Sequence, residues 1–275
     1  MVLVLVLTLL APVLLLLGGS PATAQGLAPY AFLPAQVFGA VAVGMPDDRT
    51  VQVQHYDAAT RTWDAPTTLY RTRGRVTCGA IDGRASSPTG PGVALLVECD
   101  APYYEDQAPV HSVAFVSRDG FGWSHRRLGG EAYQAPAISP SATYAAWLVG
   151  GIGEYVEWSA TTGFAKPART SYRYDSGGET PVVDDTGTVT VIGPEPNGRQ
   201  CVVGVHARDL AGGTSHAVVP VDPGCTEGYL ENVDALTVLG GGSERATQFT
   251  LGRTSVGAPW SLTRVPPADA PGRVE

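Results

Sequence analysis

One hairpin-like phrase occurs five times along this chain, and such repetition limits the fold to a few architectures before any single element is assigned. The phrase is an alternating apolar stretch, a polar turn with Asp or Gly, an aromatic residue, and a second short apolar stretch. Its copies begin at Val51, His111, Tyr155, Val202 and Phe249. The turn-exit aromatics are Trp63, Trp123, Phe164 and Trp260, while the fourth copy has Thr214 and Ser215 there. Four intervals separate Trp63 from Trp260, or about 49 residues per unit, and the chain without its apolar leader divides by five into about 50.

A second phrase precedes each hairpin. Pro136-Ala137-Ile138, a turn, and an apolar stretch from Tyr144 to Val149 match Pro181-Val182-Val183, a turn, and Thr188 to Ile192. Weaker copies start at Pro34, Val76 and Tyr229. A proline at a strand start costs no ladder bond. Each unit therefore holds four short antiparallel strands, A to D, which is the content of a propeller blade. The expected fold is all-β, a five-bladed β-propeller of four-stranded antiparallel blades over residues 25–265. The blades fall near 34–72, 75–128, 133–172, 179–221 and 228–265, and residues 266–275 read as a disordered tail. Tandem β-sandwiches, the alternative, predict no such period. Composition agrees: 34 Gly and 22 Pro supply turns, and 16% charged residues are too few for a disordered polyelectrolyte.

Residues 2–17 are almost unbroken Val, Leu and Ala, and Ala22-Thr23-Ala24 follows as an A-x-A cleavage signal. Residues 1–24 read as a signal peptide cut after Ala24, which leaves a secreted, extracellular chain with no stable membrane span. The first charge is Asp47, so the basic start of a standard signal is missing, and an uncleaved anchor is the alternative. Export permits disulfides. Four cysteines allow three pairings, and the blade scheme selects Cys78 with Cys99 and Cys201 with Cys225. In that scheme the starts of strands A and C and the ends of B and D share one face. No C-x-x-C spacing points to zinc. A net charge of −8 gives no electrostatic reason for a nucleic-acid partner. A monomer without cofactor or metal is expected.

The units resemble the blades of secreted bacterial β-propeller repeat proteins. The turn Ser117-Arg118-Asp119-Gly120-Phe121-Gly122-Trp123 is similar to the Asp-box of sialidase-type propellers, with an Asp-to-Trp interval one residue short. Tyr56-Asp57 followed by Trp63 resembles kelch spacing, as do the glycines Gly150, Gly151, Gly240, Gly241 and Gly242. Both motifs are structural turns in those families, so the resemblance implies a fold and no chemistry. The Phe/Tyr-Arg-Ile-Pro signature of the sialidases is absent.

A five-bladed propeller is also similar to the arabinanase and xylosidase group, in which funnel carboxylates serve as acid and base. Asp82, Asp184, Asp185 and Asp234 follow strand A, which lines such a funnel. They align, however, with the A–B turns, where Asp before Gly is ordinary turn chemistry, and the turn is the expected role. Ser124-His125 and Ser215-His216 sit at one place in two repeats and lack a G-x-S-x-G elbow, so a structural role is expected. His55, His111 and His206 read as packed or solvent-facing, and Arg71, Arg73 and Arg75 as a solvated link. Tyr133, Tyr172, Tyr174 and Tyr229 precede strand A in successive units and read as packing between blades. The leading candidate is the end carrying the B–C and D–A loops. Its insert places Tyr103 and Tyr104 beside Glu105 and Asp106, with Glu195 in the corresponding loop of the fourth unit. Rings that stack and carboxylates that accept hydrogen bonds suit a glycan or protein ligand. The expectation is a non-catalytic binding propeller; the alternative is a glycoside hydrolase or lyase using funnel carboxylates.

Overall fold

Apolar–polar alternation and frequent turns give strands joined by turns in the computed structural model, which describes residues 36–87, 91–100, 111–129, 134–149, 153–173, 180–194, 201–222, 229–232, 237–241, 247–252 and 261–264. Sheet 1 contains β1 (Gln36–Phe38), β2 (Val41–Asp47), β3 (Thr50–Asp57), β4 (Thr62–Trp63) and β5 (Thr67–Arg71). Sheet 2 contains β6 (Thr77–Ala85), β7 (Val93–Asp100), β8 (His111–Ser117) and β9 (Trp123–Arg127). Sheet 3 contains β10 (Ala137–Ile138), β11 (Tyr144–Leu148), β12 (Glu154–Ser159), β13 (Gly163–Phe164) and β14 (Ala168–Arg169). Sheet 4 contains β15 (Thr180–Val183), β16 (Val189–Pro194), β17 (Cys201–Arg208) and β18 (Thr214–Asp222). Sheet 5 contains β19 (Tyr229–Asn232), β20 (Thr237–Gly241), β21 (Thr247–Gly252) and β22 (Ser261–Arg264). Within every sheet the first four strands pair in chain order.

The outer strand of sheets 1 and 3 is split, for a reason visible in the chain. Trp63-Asp64-Ala65-Pro66 and Phe164-Ala165-Lys166-Pro167 share one spacing. A proline lacks the N–H that the ladder needs, so pairing stops after the aromatic residue and resumes beyond the proline. Both β4 and β5 therefore pair with β3, and both β13 and β14 with β12.

The acids of the recurring turns are consumed by their own backbone. In the C–D turns, Asp57 accepts from Ala59 N at 2.8 Å, and Asp119 accepts from Phe121 N and Gly122 N at 2.8 Å each. Asp209 accepts from Gly213 N at 2.7 Å. In the A–B turn of sheet 4, Asp184 Oδ1 accepts from Thr186 N at 2.9 Å and Thr188 N at 3.0 Å. Its neighbour Asp185 accepts from Ser141 N at 2.9 Å and Ser141 Oγ at 2.6 Å, tying that turn to the A–B turn of sheet 3.

Burial decides how the sheets stack. Val93, Ala94, Leu95, Leu96 and Val97 are all fully buried, so β7 is covered on both faces. Leu95 packs with Val41, Val53 and Phe115 in the seam between sheets 1 and 2. Leu96, one residue on, packs with Val116, Trp147 and Trp158 in the seam between sheets 2 and 3. A third layer, with Ala146, Tyr155, Val183 and Val189, fills the seam between sheets 3 and 4. A sandwich would leave one face of each sheet to water, whereas here the inner sheets are buried on two sides. Successive four-stranded sheets stacked face to face make the fold a β-propeller. Trp147 Nε1 crosses one seam to donate to Leu95 O at 2.9 Å. Tyr172 lies buried in another, where a Cβ added to Gly193 would come within 2.4 Å of its hydroxyl.

Candidate functional site

In a propeller the first strand of each sheet lines the centre, and alternate strand ends place the B–C and D–A loops together. At that end of sheet 2, Cys78 on β6 stands directly opposite Cys99 on β7, and the two form a disulfide. Cys99 in turn faces His111, the first residue of β8. The cross-link therefore clamps the stems between which residues 101–110 run. Tyr103, Tyr104, Glu105 and Asp106 lie in that segment, outside the described residues, as do Glu195 and Cys225. Cys201 opens β17 opposite Asp222.

Beneath this stem sits a pair of carboxyl groups. Gly79 makes a bulge, after which Ala80 faces Glu98 and Asp82 faces Leu96. Asp82 and Glu98 are thus diagonal neighbours on the face turned toward sheet 3, where β10 packs against β6 and β7. Such diagonal positions stand roughly 7–8 Å apart. Both side chains are half-buried. Desolvation raises the Asp82 carboxyl above its ordinary value. Desolvation, with the nearby Asp82 charge added, does the same to Glu98. Two carboxyls with raised proton affinity on the two innermost strands can accept hydrogen bonds from a ligand or pass a proton to it.

The position of Asp82 corrects the turn assignment made from sequence. The dipeptide Asp82-Gly83 lies inside β6, not in a turn. Its glycine serves packing: a Cβ at Gly83 would fall 2.7 Å from Leu95 and 2.8 Å from the Phe38 ring. Asp184 and Asp185, by contrast, are turn residues, and Asp234 is outside the described residues. Glu98 went unnoticed in the sequence because it continues the apolar run of β7, and only the register brings it beside Asp82.

The other candidates have structural surroundings. His125 meets Phe115 and Tyr70 at ring-centroid distances of 5.6 and 6.0 Å in the first seam. His206 is buried against Tyr172 and stacks on His216 at 4.2 Å, with Ser171 Oγ at 2.9 Å from its Nδ1. Arg71 Nε donates to Thr50 Oγ1 at 3.3 Å, while Arg73 and Arg75 are exposed. Two buried or bridging groups lie in the seams instead. His55 reaches across from sheet 1 to sheet 2, and Glu157 lies between sheets 3 and 4 with Oε1 buried and unpartnered. Desolvation pushes the Glu157 carboxyl up to about 7. Burial, with the Glu157 charge next, pushes the neighbouring Tyr155 up to about 12. Among the described residues no group of three His, Cys, Asp or Glu side chains converges as a metal-binding set, and no helix is long and apolar enough to cross a membrane.

No protein-family model and no curated protein matches the chain. Solved structures do. KlAtg21, in its complex with the coiled-coil of AgAtg16, is similar at 10% identity and a TM-score of 0.41, over 87% of this chain and 71% of that one. Hsv2 of Kluyveromyces lactis is similar at 8% identity and a TM-score of 0.31, over 83% and 82%. A luciferin-regenerating enzyme is similar at 10% identity and a TM-score of 0.38, over 78% and 68%. These are β-propeller-like proteins, and it is the stacked sheets of the chain itself that establish its own propeller fold.

Proposed function

We propose that the chain is an exported, non-catalytic propeller of five blades closed in a ring, which acts as a monomer and binds an extracellular glycan or protein through its B–C and D–A loops. The observation that carries this reading is the half-buried Asp82–Glu98 pair under a disulfide-clamped loop stem, while the recurring turn acids are held by their own backbone. In this reading Tyr103 and Tyr104 stack on the ligand. Glu105, Asp106 and Glu195 accept its hydrogen bonds, and Glu98 forms the floor of the site. Its test is a glycan panel and a set of extracellular protein baits probed with the purified chain. Binding that is lost in the Tyr103→Ala/Tyr104→Ala variant and weakened in Glu98→Gln supports the site. Binding unchanged in both removes it.

The raised proton affinity of both carboxyls favours one second reading, a glycoside hydrolase or lyase with Asp82 and Glu98 as acid and base. Release of sugar from arabinan, xylan or sialosides, abolished by Asp82→Asn, selects that reading over simple binding.

A further inference from the structure

The ring of His55 stands between two hydrogen-bond acceptors that belong to different sheets. Its Nδ1 lies 2.8 Å from Asp64 Oδ2, in the link between β4 and β5. Its Nε2 contacts Gly120 O, in the C–D turn of sheet 2. A carbonyl oxygen can only accept, so Nε2 carries a proton. The Asp64 carboxylate is fixed in place because its Oδ1 accepts from the His55 backbone N–H at 2.7 Å, and nearly half of that side chain (45%) faces water. Only an imidazolium, protonated at both nitrogens, donates to both partners. A neutral ring turns a lone pair toward one of them.

Phe121 stacks on the imidazole at a centroid distance of 4.0 Å and an interplanar angle of 18°, and a cation over an aromatic face is attracted by the ring quadrupole. Opposite His55 on β2 stands the apolar Val41. Arg118 and Asp119 are the charged residues of the facing turn. Asp119 spends its carboxylate on Phe121 N, Gly122 N and Ser117 Oγ, and Arg118 is exposed. On the side of sheet 1, Asp57 is held by its own turn. Asp64 is thus the carboxylate that the ring engages.

We propose that His55 is a proton-dependent latch between sheets 1 and 2: the imidazolium bridges Asp64 to Gly120, and loss of one proton opens the bridge. Sheet 3 uses the same strand position for Glu157. Asp64 N donates to His55 O at 3.0 Å, and Ala165 N donates to Glu157 O at 2.8 Å, so the two residues are structural equivalents. Ala165 stands where sheet 1 has Asp64, and Glu157 has no such partner. Tyr155 on its own strand is the titratable group beside it, with Arg208 and Asp209 reaching Tyr155 from sheet 4. A proton on the His55 ring completes the bridge to sheet 2, whereas a proton on Glu157 removes a charge that burial in its seam disfavours.

The Gly120 carbonyl also accepts from Trp123 Nε1 at 2.7 Å, which supplies a local probe. In the 15N-labelled full chain, the Trp123 indole N–H resonance, assigned with Trp123→Phe, is expected to move through one inflection as the pH is raised across the range in which the protein stays folded. In His55→Phe, which keeps a ring against Phe121, the inflection is expected to vanish. The fall in Tm from acid to alkali is expected to shrink by roughly 2–4 °C. A long-range 15N spectrum of the wild-type His55 ring gives a reading that needs no variant: both nitrogens are expected to be protonated on the acid side of that inflection. An inflection that persists in His55→Phe, no inflection in the wild type, or one unprotonated ring nitrogen on the acid side of the inflection overturns the latch.

Discussion

Replacing Glu157 with Gln is expected to stabilise the protein at pH 8 and to leave it unchanged at pH 4.5. The carboxyl has an ordinary value of 4.5 and is pushed up to about 7 by desolvation in the seam between sheets 3 and 4. A group whose proton affinity rises on folding contributes stability that is complete below its unfolded value and is lost as pH climbs through its folded value. Here that window runs from 4.5 to about 7. At 1.36 kcal/mol per pH unit, the ceiling is about 3 kcal/mol. Partial solvent access and screening reduce it to about 1–2 kcal/mol. Gln keeps the shape of the side chain and removes the charge, so the penalty borne by the wild type above pH 7 disappears. Urea unfolding of both proteins at half-unit steps from pH 4.5 to 8.5 measures the difference. The two stability curves should meet in acid and diverge by about 1–2 kcal/mol above pH 7. Parallel curves, or a variant weaker than wild type at pH 8, refute the claim that burial of Glu157 opposes its ionisation.

Two further outcomes follow from the turns and the cross-link. Replacing Cys78 and Cys99 together with Ser opens a loop of sequence separation 21, which the chain-entropy relation values at about 3 kcal/mol. Unfolding of the double variant beside the oxidised and reduced wild type checks this, and oxidised protein no more stable than the variant contradicts it. Arg61 holds a φ of 57° in the C–D turn of sheet 1, where the same turns of sheets 2, 3 and 4 place Gly120, Gly163 and Gly212 at positive φ. Arg61→Gly relieves a left-handed conformation and is expected to gain about 0.5–1 kcal/mol after the added freedom of the unfolded chain is subtracted. Thermal melts showing a loss would place the strain elsewhere.

The contrast between Asp184 and Asp82 marks what could be read before folding. Both follow a strand-like phrase and have a glycine within three residues. At Asp184 the local chain supplies its own partners, Thr186 N and Thr188 N, so sequence spacing alone specifies the turn. At Asp82 the glycine that follows accommodates Leu95 and the Phe38 ring of another sheet, a requirement that no local pattern encodes. The equivalence of His55 and Glu157 was hidden in the same way, because it rests on the pairing of Tyr56 with Trp63 and of Trp158 with Phe164. The outer-strand breaks at Pro66 and Pro167 were present in the letters, since a missing N–H acts wherever the chain is placed.

The order of letters alone therefore determined the repeat, the strand-and-turn rhythm within it, and the near-neighbour partner of Cys78, all of which depend on contacts within one unit. Tertiary structure decided which faces meet. It set Leu95 and Leu96 into different seams, buried Glu157 without a partner, joined Asp82 to Glu98 under the loop stem, and carried His55 across to Gly120. The physical reason is one of range: hydrogen bonding within a turn is fixed by a few residues, whereas desolvation and seam packing depend on groups that only stacking of the sheets brings together.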